Sequence, residues 1–259
     1  MSIVAADLSV YSTGGKTVSV DWWKHFVVDL AIVGLWTGNK AYDNAPTTLA
    51  NARAANKLTG AYFALSEGRS GREHAAIARL VARDEWDKLS FCAIDCELPG
   101  ITIEQIVDAI SEVIIQHMRP ILYTREGWWK ENFGGTTAPD GIWLWNAYYD
   151  DDPDTDYEQH PYAGIPYSRL AGEQYTDTKD VGGIGVCFSL FDPTFVRAAP
   201  NTQVGLVDLR LAWESDMRRL IGAASVLPER SFDVTSLALT SLYFQQRAEA
   251  WKNLLRGGK

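Results

Sequence analysis

The strongest constraint on this chain is an alternation that runs through its first half. Short apolar runs read as buried strands: "SIVAADLS" (2–9), "LAIVGLW" (30–36), "TGAYFAL" (59–65), "LSFCAIDCE" (89–97) and "RPILYT" (119–124). Between them lie segments with helical character: "VDWWKHF" (20–26), "NAPTTLANARAANKL" (44–58), "GREHAAIARLVARDEW" (71–86), "TIEQIVDAISEVIIQHM" (102–118) and "REGWWKENF" (125–133). Thr102 stands where an N-cap belongs, because its hydroxyl can accept a free N–H of the first turn. Strand, helix, strand in strict order predicts a parallel sheet with right-handed crossovers, either a closed barrel or a doubly wound sheet. No G-x-G-x-x-G follows the first strand, which takes support from the dinucleotide-binding form of the second.

After residue 140 the rhythm changes. "GIWLWNAYY" (141–149) reads as a strand and is followed by a polar, acidic loop, "DDDPDTDYEQHPYAGIPYS" (150–168). "RLAGEQYTD" (169–177) and "GGIGVCFSLFD" (182–192) read as further strands with no full helix between them. The expected fold class is therefore α/β, a (β/α)-barrel of the β5α5β3 kind. A C-terminal pair of helices follows, over 204–226 and 234–256. This divides the chain into a barrel, 1–203, and a helical appendage, 204–259.

Composition narrows the partners. A chain of 259 residues that is 46% hydrophobic can bury a sizeable core. A net charge of -9 argues against nucleic acid and against anionic membranes, both of which demand a basic surface. No apolar run is long enough to span a bilayer. The N-terminus has no basic segment leading into an apolar one, so it does not read as a cleaved signal peptide. Cys92, Cys96 and Cys187 have no disulfide spacing and no histidines nearby, so they read as free thiols and neither a metal nor a cofactor is expected. His25, His74, His117 and His160 have no spacing for a metal or a triad and read as surface or capping residues. The acidic stretch after residue 149 lacks the glycine and terminal glutamate of a calcium loop and reads as solvated.

In a parallel barrel the functional side chains come from the C-terminal ends of the strands. Three carboxylates stand there: Asp7 after the first strand, and Asp95 and Glu97 at the end of the fourth. Strand periodicity would place Asp95 and Glu97 on one face, with Ile94 and Cys96 on the other. Acids crowded on an inner face raise one another's pKa, as a general acid working near neutrality requires. A divalent-cation site or a structural network would also fit Asp-x-Glu.

The ordered set "AADLS" (Asp7), "LTGAYF" (Tyr62), "AIDCE" (Asp95, Glu97), "PILYT" (Tyr123), "IWLWNAYY" (Trp145, Tyr148) and "EQYTDTKDVGGIGVCFSLFD" (Gln174, Tyr175) resembles glycoside hydrolase family 25, the muramidases of phages, bacteria and fungi. It spans residues 3–192. The resemblance implies the β5α5β3 barrel. It also implies cleavage of the β-1,4 bond between N-acetylmuramic acid and N-acetylglucosamine in peptidoglycan, with glycan strands as the partner. It makes Glu97 the general acid, Asp95 the group that orients the substrate acetamido group or stabilises an oxocarbenium-like transition state, and Asp7 an electrostatic support. Tyr62, Tyr123, Trp145, Tyr148, Gln174 and Tyr175 would bind substrate, with Trp36 and Trp143 as weaker candidates.

Three positions depart from the family pattern. Cys187 stands where V-D-x-N would place an Asp, Glu173-Gln174-Tyr175 replaces W-Q-Y, and Phe63 replaces a His. Glu173 and Asp192 are the nearest carboxylates to the missing one in sequence. A second reading is a non-catalytic glycan-binding or virion structural protein that keeps the barrel, and a third is a glycosidase of other specificity. The C-terminal helices suit packing on the barrel, self-association or virion attachment. The muramidase would act on the wall after release from the cytoplasm of the producing cell, or as part of a virion.

Overall fold

The computed structural model describes residues 2–153 and 161–197. The helices read over 204–226 and 234–256, and the division at 203/204, lie outside them. Five strand–helix units come first: β1 (Ile3–Leu8), α1 (Val20–His25), β2 (Leu30–Trp36), α2 (Ala45–Ala54), β3 (Leu58–Ala64), α3 (Gly71–Ala82), β4 (Cys92–Asp95), α4 (Ile103–Ile115), β5 (Pro120–Thr124) and α5 (Glu126–Phe133). Then follow β6 (Trp143–Ala147), β7 (Leu170–Gln174), β8 (Lys179–Val181), β9 (Ile184–Phe191) and α6 (Pro193–Arg197). Strands β1 to β7 pair in order and in parallel, and β9 pairs with both β7 and β1, which closes an eight-stranded barrel.

The last strand departs from the parallel order of the first seven, because β9 runs antiparallel to both neighbours. The stretch 182–192 holds one strand, β9, entered through a turn from the short strand β8 that precedes it. Gly182 and Gly183, with φ of 61° and 82°, turn the chain between β8 and β9. Two successive positive-φ residues suit the tight hairpin turn, and a link that short must reverse the chain.

The barrel carries two apolar layers. Inside it, Ile3, Ala5, Leu30, Ile32, Phe91, Ala93, Ile121 and Phe191 pack together. The short helix α6 floors this interior with Phe195, whose ring lies 5.7 Å from Phe91 and 5.1 Å from Trp143. Outside it, Val33, Leu35, Ile94, Leu122 and Leu144 meet the helices through residues such as Leu49, Ala78, Ile106 and Ile110. Strands covered on both faces must be apolar throughout, which is why β2 is buried at every residue.

Helices α3 and α4 are set by their caps. Ser70 and Glu73 form a capping box on α3, and Thr102 and Gln105 form another on α4. The Gln105 amide also donates to the carbonyls of Ser66 (3.1 Å) and Arg69 (2.7 Å), tying α4 to the loop before α3. His74 corrects the surface reading, since it is wholly buried. Trp36 Nε1, a donor only, gives its hydrogen to His74 Nδ1 at 2.8 Å. The His74 proton therefore sits on Nε2, 3.2 Å from the Ser66 carbonyl that accepts it. Trp36 is thus held in the wall outside the mouth. His25 does act as a capping residue in the last turn of α1.

Where α3 crosses α4 the backbones almost touch. A β-carbon at Gly71 would lie 1.8 Å from the Gln105 carbonyl oxygen and 2.6 Å from the Ala109 nitrogen, so any side chain forces the helices apart. Gly71→Ala should cost about 3 kcal/mol or more of stability, the upper range for overpacking. Urea denaturation of parent and variant measures it, and a loss below about 0.5 kcal/mol would contradict this packing.

Candidate active site

The inward positions of the strands form stacked layers, and the layer at the C-terminal mouth is polar where those below are not. In β1 the inward series is Ile3, Ala5, Asp7; in β4 it continues from Phe91 through Ala93 to Asp95. Strand β3 contributes Tyr62, β5 Tyr123, β6 Trp145, β7 Gln174 and β9 Cys187. Together with Tyr149 these eight residues line a mouth cavity of about 120 Å³. Gly34 leaves the space on β2 that the Tyr62 ring fills, since a β-carbon there would come within 2.6 Å of the ring.

Within this layer Gln174 has a fixed orientation. Its Nε2 donates to Asp7 Oδ2 at 2.6 Å, so its Oε1 faces Tyr123, whose hydroxyl donates to it at 2.7 Å. With that hydrogen committed, the Tyr123 oxygen accepts from the Tyr149 hydroxyl at 3.0 Å. Trp145 packs edge-on against Tyr123 at 4.7 Å and donates through Nε1 to Ser189 Oγ at 3.1 Å.

Desolvation dominates the electrostatics. Burial lifts Asp7 and Asp95 from ordinary carboxylate values to about 7 each, and the neighbouring Asp95 pushes Asp7 in the same direction. Near neutral pH this pair therefore carries part of a proton load rather than two full charges. Cys187 lies opposite Asp7 in the β1–β9 ladder. Burial and the Asp7 charge push its thiol up to about 12, so it is neutral where the pair titrates.

Glu97 sits differently from the expectation. Strand β4 ends at Asp95, so the two-residue period does not carry Glu97 onto the inward face. The Glu97 N–H instead donates to Asp95 Oδ1 at 2.8 Å, turning the chain. Its carboxylate lies beside the lined cavity, at the start of α5. There Oε1 accepts the Arg125 N–H at 2.7 Å and lies 3.5 Å from Thr124 Oγ1 and 3.8 Å from Arg125 Nε. Burial raises the Glu97 pKa, against the Arg125 charge and these hydrogen bonds.

Of the residues singled out from sequence, Asp7, Asp95, Tyr62, Tyr123, Trp145 and Gln174 line the cavity. Tyr148 and Tyr175 do not. Strand alternation explains both: Gln174 faces in, so Tyr175 faces out and stacks on Phe188 at 6.5 Å. Continuing the inward series from Trp143 and Trp145 leads to Tyr149, and its neighbour Tyr148 points away. That series was the signal for Tyr149. Trp143 lies at the barrel floor against Phe195. Neither nearby acid replaces the carboxylate expected at 187. Glu173 is buried on the outer face, where Asn146 donates to it at 2.9 Å. Asp192 caps the N-terminus of α6 at the opposite end of the barrel. Among the described residues no His, Cys, Asp and Glu cluster could hold a metal ion.

Comparison with known proteins agrees with this arrangement. The model of Glycosyl hydrolases family 25 matches residues 16–184. The chain belongs to glycosyl hydrolase family 25. No curated protein is significantly similar to it in sequence. Among solved structures, a bacterial lysozyme from Streptomyces coelicolor superposes with a TM-score of 0.62 at 19% identity, over 78% of this chain and 98% of that one. A family 25 lysozyme from Aspergillus fumigatus gives 0.60 at 16% identity, over 77% and 99%. A muramidase from Acremonium alcalophilum gives 0.57 at 20%, also over 77% and 99%. At these identities the likeness is one of fold. The chain is thus a glycoside hydrolase by family, in a barrel whose mouth gathers Asp7, Asp95 and, beside them, Glu97.

The buried carboxyls of this family 25 barrel make its stability depend on pH. A carboxyl whose pKa rises from 3.8 unfolded to about 7 folded favours the fold below about pH 4, and that contribution is lost as pH rises through 7. Asp7→Asn keeps an acceptor for Gln174 and cannot ionise. It should raise the thermal midpoint at pH 8, by a few kcal/mol of stability at most, and give no gain at pH 4. Thermal melts of parent and variant at both pH values test this; an equal difference at both would show that Asp7 does not titrate as stated.

Proposed function

We propose that this chain is a peptidoglycan muramidase that hydrolyses the β-1,4 bond between N-acetylmuramic acid and N-acetylglucosamine, with Glu97 as the general acid. The observation that carries this reading is the division of labour among three carboxyls. Asp7 and Asp95 lie in the cavity, while Glu97 sits beside it with Oε1 held by donors and Oε2 left to carry a proton. A glycosidic oxygen needs a proton as it leaves, and burial, which favours the protonated form of Glu97, suits this glutamic acid to give it. Asp95, fixed to Glu97 through its backbone, is placed to face the positive charge that develops on the sugar ring or to orient the acetamido group. Asp7, joined to Gln174, supports that field.

The aromatic wall suits a sugar. Tyr62, Tyr123, Trp145 and Tyr149 surround the carboxyls, and flat rings match the apolar faces of pyranoses. The substrate lies in the cell wall, so the enzyme acts there. Among the described residues no helix is long and apolar enough to cross a membrane. Self-association and virion attachment were assigned to 204–259, which lie outside the described residues.

Glu97→Gln should abolish release of reducing ends from purified peptidoglycan while leaving the melting temperature within a few degrees of the parent. Residual activity within about tenfold of the parent, roughly 1.4 kcal/mol in barrier, would remove Glu97 from the role.

Cys187→Asp puts a carboxylate opposite Asp7, where the family pattern has one. If the site catalyses with that charge missing, cleavage should rise by about one to two orders of magnitude, because a charge facing the developing oxocarbenium ion stabilises it. The same charge, buried beside Asp7, should lower stability above pH 7. Cleavage and melting temperature are to be measured on one preparation. A stable variant with no gain would mean that this barrel does not depend on a carboxylate at 187. Binding of glycan chains by parent and variant alike, with no cleavage by either, would favour the non-catalytic reading.

A further inference from the structure

Glu97 is held by a residue that no strand-end pattern would single out. Arg125 is the N-cap of α5 and lacks a capping side-chain hydrogen bond of its own. Both its backbone and its guanidinium turn to Glu97, and both address the same oxygen. The N–H reaches Oε1 at 2.7 Å and Nε lies 3.8 Å from it. The third neighbour, Thr124 Oγ1 at 3.5 Å, also points to Oε1.

We infer that Arg125 is a positioning residue for Glu97: it reserves Oε1 as an acceptor, assigns the acid proton to Oε2, and sets the upper pH limit at which Glu97 is still loaded. The chemistry follows from donor counting. A backbone N–H and a guanidinium can only donate, so Oε1 cannot also carry hydrogen toward them. The remaining oxygen must hold the proton. This inference rests on the reading of Glu97 as the general acid.

Burial acts on Glu97 in the opposite sense to Arg125, and the titratable groups around it respond to its charge. Asp95 on β4 lies two residues away, and Tyr123 on β5 and Tyr149 after β6 feel the Glu97 charge. Burial favours the protonated Glu97 carboxyl, and the Glu97 charge in turn raises the pKa of Asp95. Among the described residues Arg125 is the cation set against that burial. Its side chain is half exposed, at 50%, while that of Glu97 is 15% exposed, so water screens the pair and the effect is moderate.

Arg125→Met removes the charge and keeps the backbone N–H and most of the side-chain bulk. Arg125→Lys restores the charge without the planar fork. Two measurements go together: the pH profile of kcat/KM on soluble glycan fragments, and the NMR titration of the Glu97 side-chain carboxyl with selective carbon labelling. Arg125→Met should move both the basic limb of the profile and the Glu97 titration about 0.5–1 pH unit higher, the size expected for a screened charge near 4 Å. Arg125→Lys should lie between parent and Met variant.

A drop in kcat/KM with neither the limb nor the titration moved would overturn the inference, leaving Arg125 a structural cap. A Glu97 titration that moves while parent and variants are all inactive on peptidoglycan would sustain the tuning of Glu97 and overturn its role as the acid. A basic limb that moves while the Glu97 signal does not would assign that limb to another group and also overturn the inference.

Discussion

The antiparallel ladder between β1 and β9 is the constraint on which the site depends. It closes the sheet, and closure turns the inward side chains at the mouth from an exposed strand face into an enclosed layer. It also sets the composition of that layer, because the register places Asp7 against Cys187 and Ala5 against Ser189. Without closure Asp7 would keep its hydration and ionise as an ordinary carboxylate. With closure it loses water, gains the Gln174 amide and titrates near neutrality. The short Gly182–Gly183 turn makes this geometry possible, since it returns the chain downward beside its own start without a helix in between.

The two kinds of acid in this mouth differ through their supports rather than their chemistry. Asp7 and Asp95 are surrounded by side chains that supply few charges, so burial controls them. Glu97 lies at the start of a helix, where backbone N–H groups and a guanidinium oppose burial. One barrel end therefore holds two kinds of carboxyl, a separation set by environment alone and one that the proposed roles would use. The chain Tyr149–Tyr123–Gln174–Asp7 adds direction: each bond in it is donated toward Asp7, so the hydroxyl at the rim is oriented by the carboxyl inside.

Much of this was legible in the sequence, and the limits have physical causes. Strands β1 to β5 stand out because helices cover one face and the barrel core the other, which leaves no polar positions to blur the pattern. Asp7 and Asp95 stand out for the same reason, as acids that end apolar runs. Strand β8 is not legible because Lys179 and Asp180 are exposed and Val181 is only partly buried, so the strand buries little and carries no hydrophobic period. Tyr148 and Tyr175 were chosen by motif against alternation, and alternation was the better guide. The place of Glu97 was not legible, because the Asp95 side chain accepts the Glu97 N–H and turns the backbone where a continuing strand was assumed. Nor was the part played by Arg125, because its bond to Glu97 joins two loops 28 residues apart and leaves no local pattern.

The thiol at position 187 is best understood through the company it keeps. A third carboxylate in that place would lie across from Asp7, in a layer where two carboxyls already titrate at about 7 for want of water. Each added buried charge raises the cost of ionising the others. A thiol pushed up to about 12 adds none and is small enough to leave the cavity open, with Thr178 Oγ1 3.7 Å from its sulfur. The thiol therefore leaves the mouth with one buried charge fewer and the fold with a milder pH dependence. It leaves Asp95 as the acid that both lines the cavity and is bonded to the backbone of Glu97. On the proposed reading, positive charge developing on a bound ring is met mainly by Asp95, with Asp7 behind it, and the proton comes from Glu97, beside Arg125.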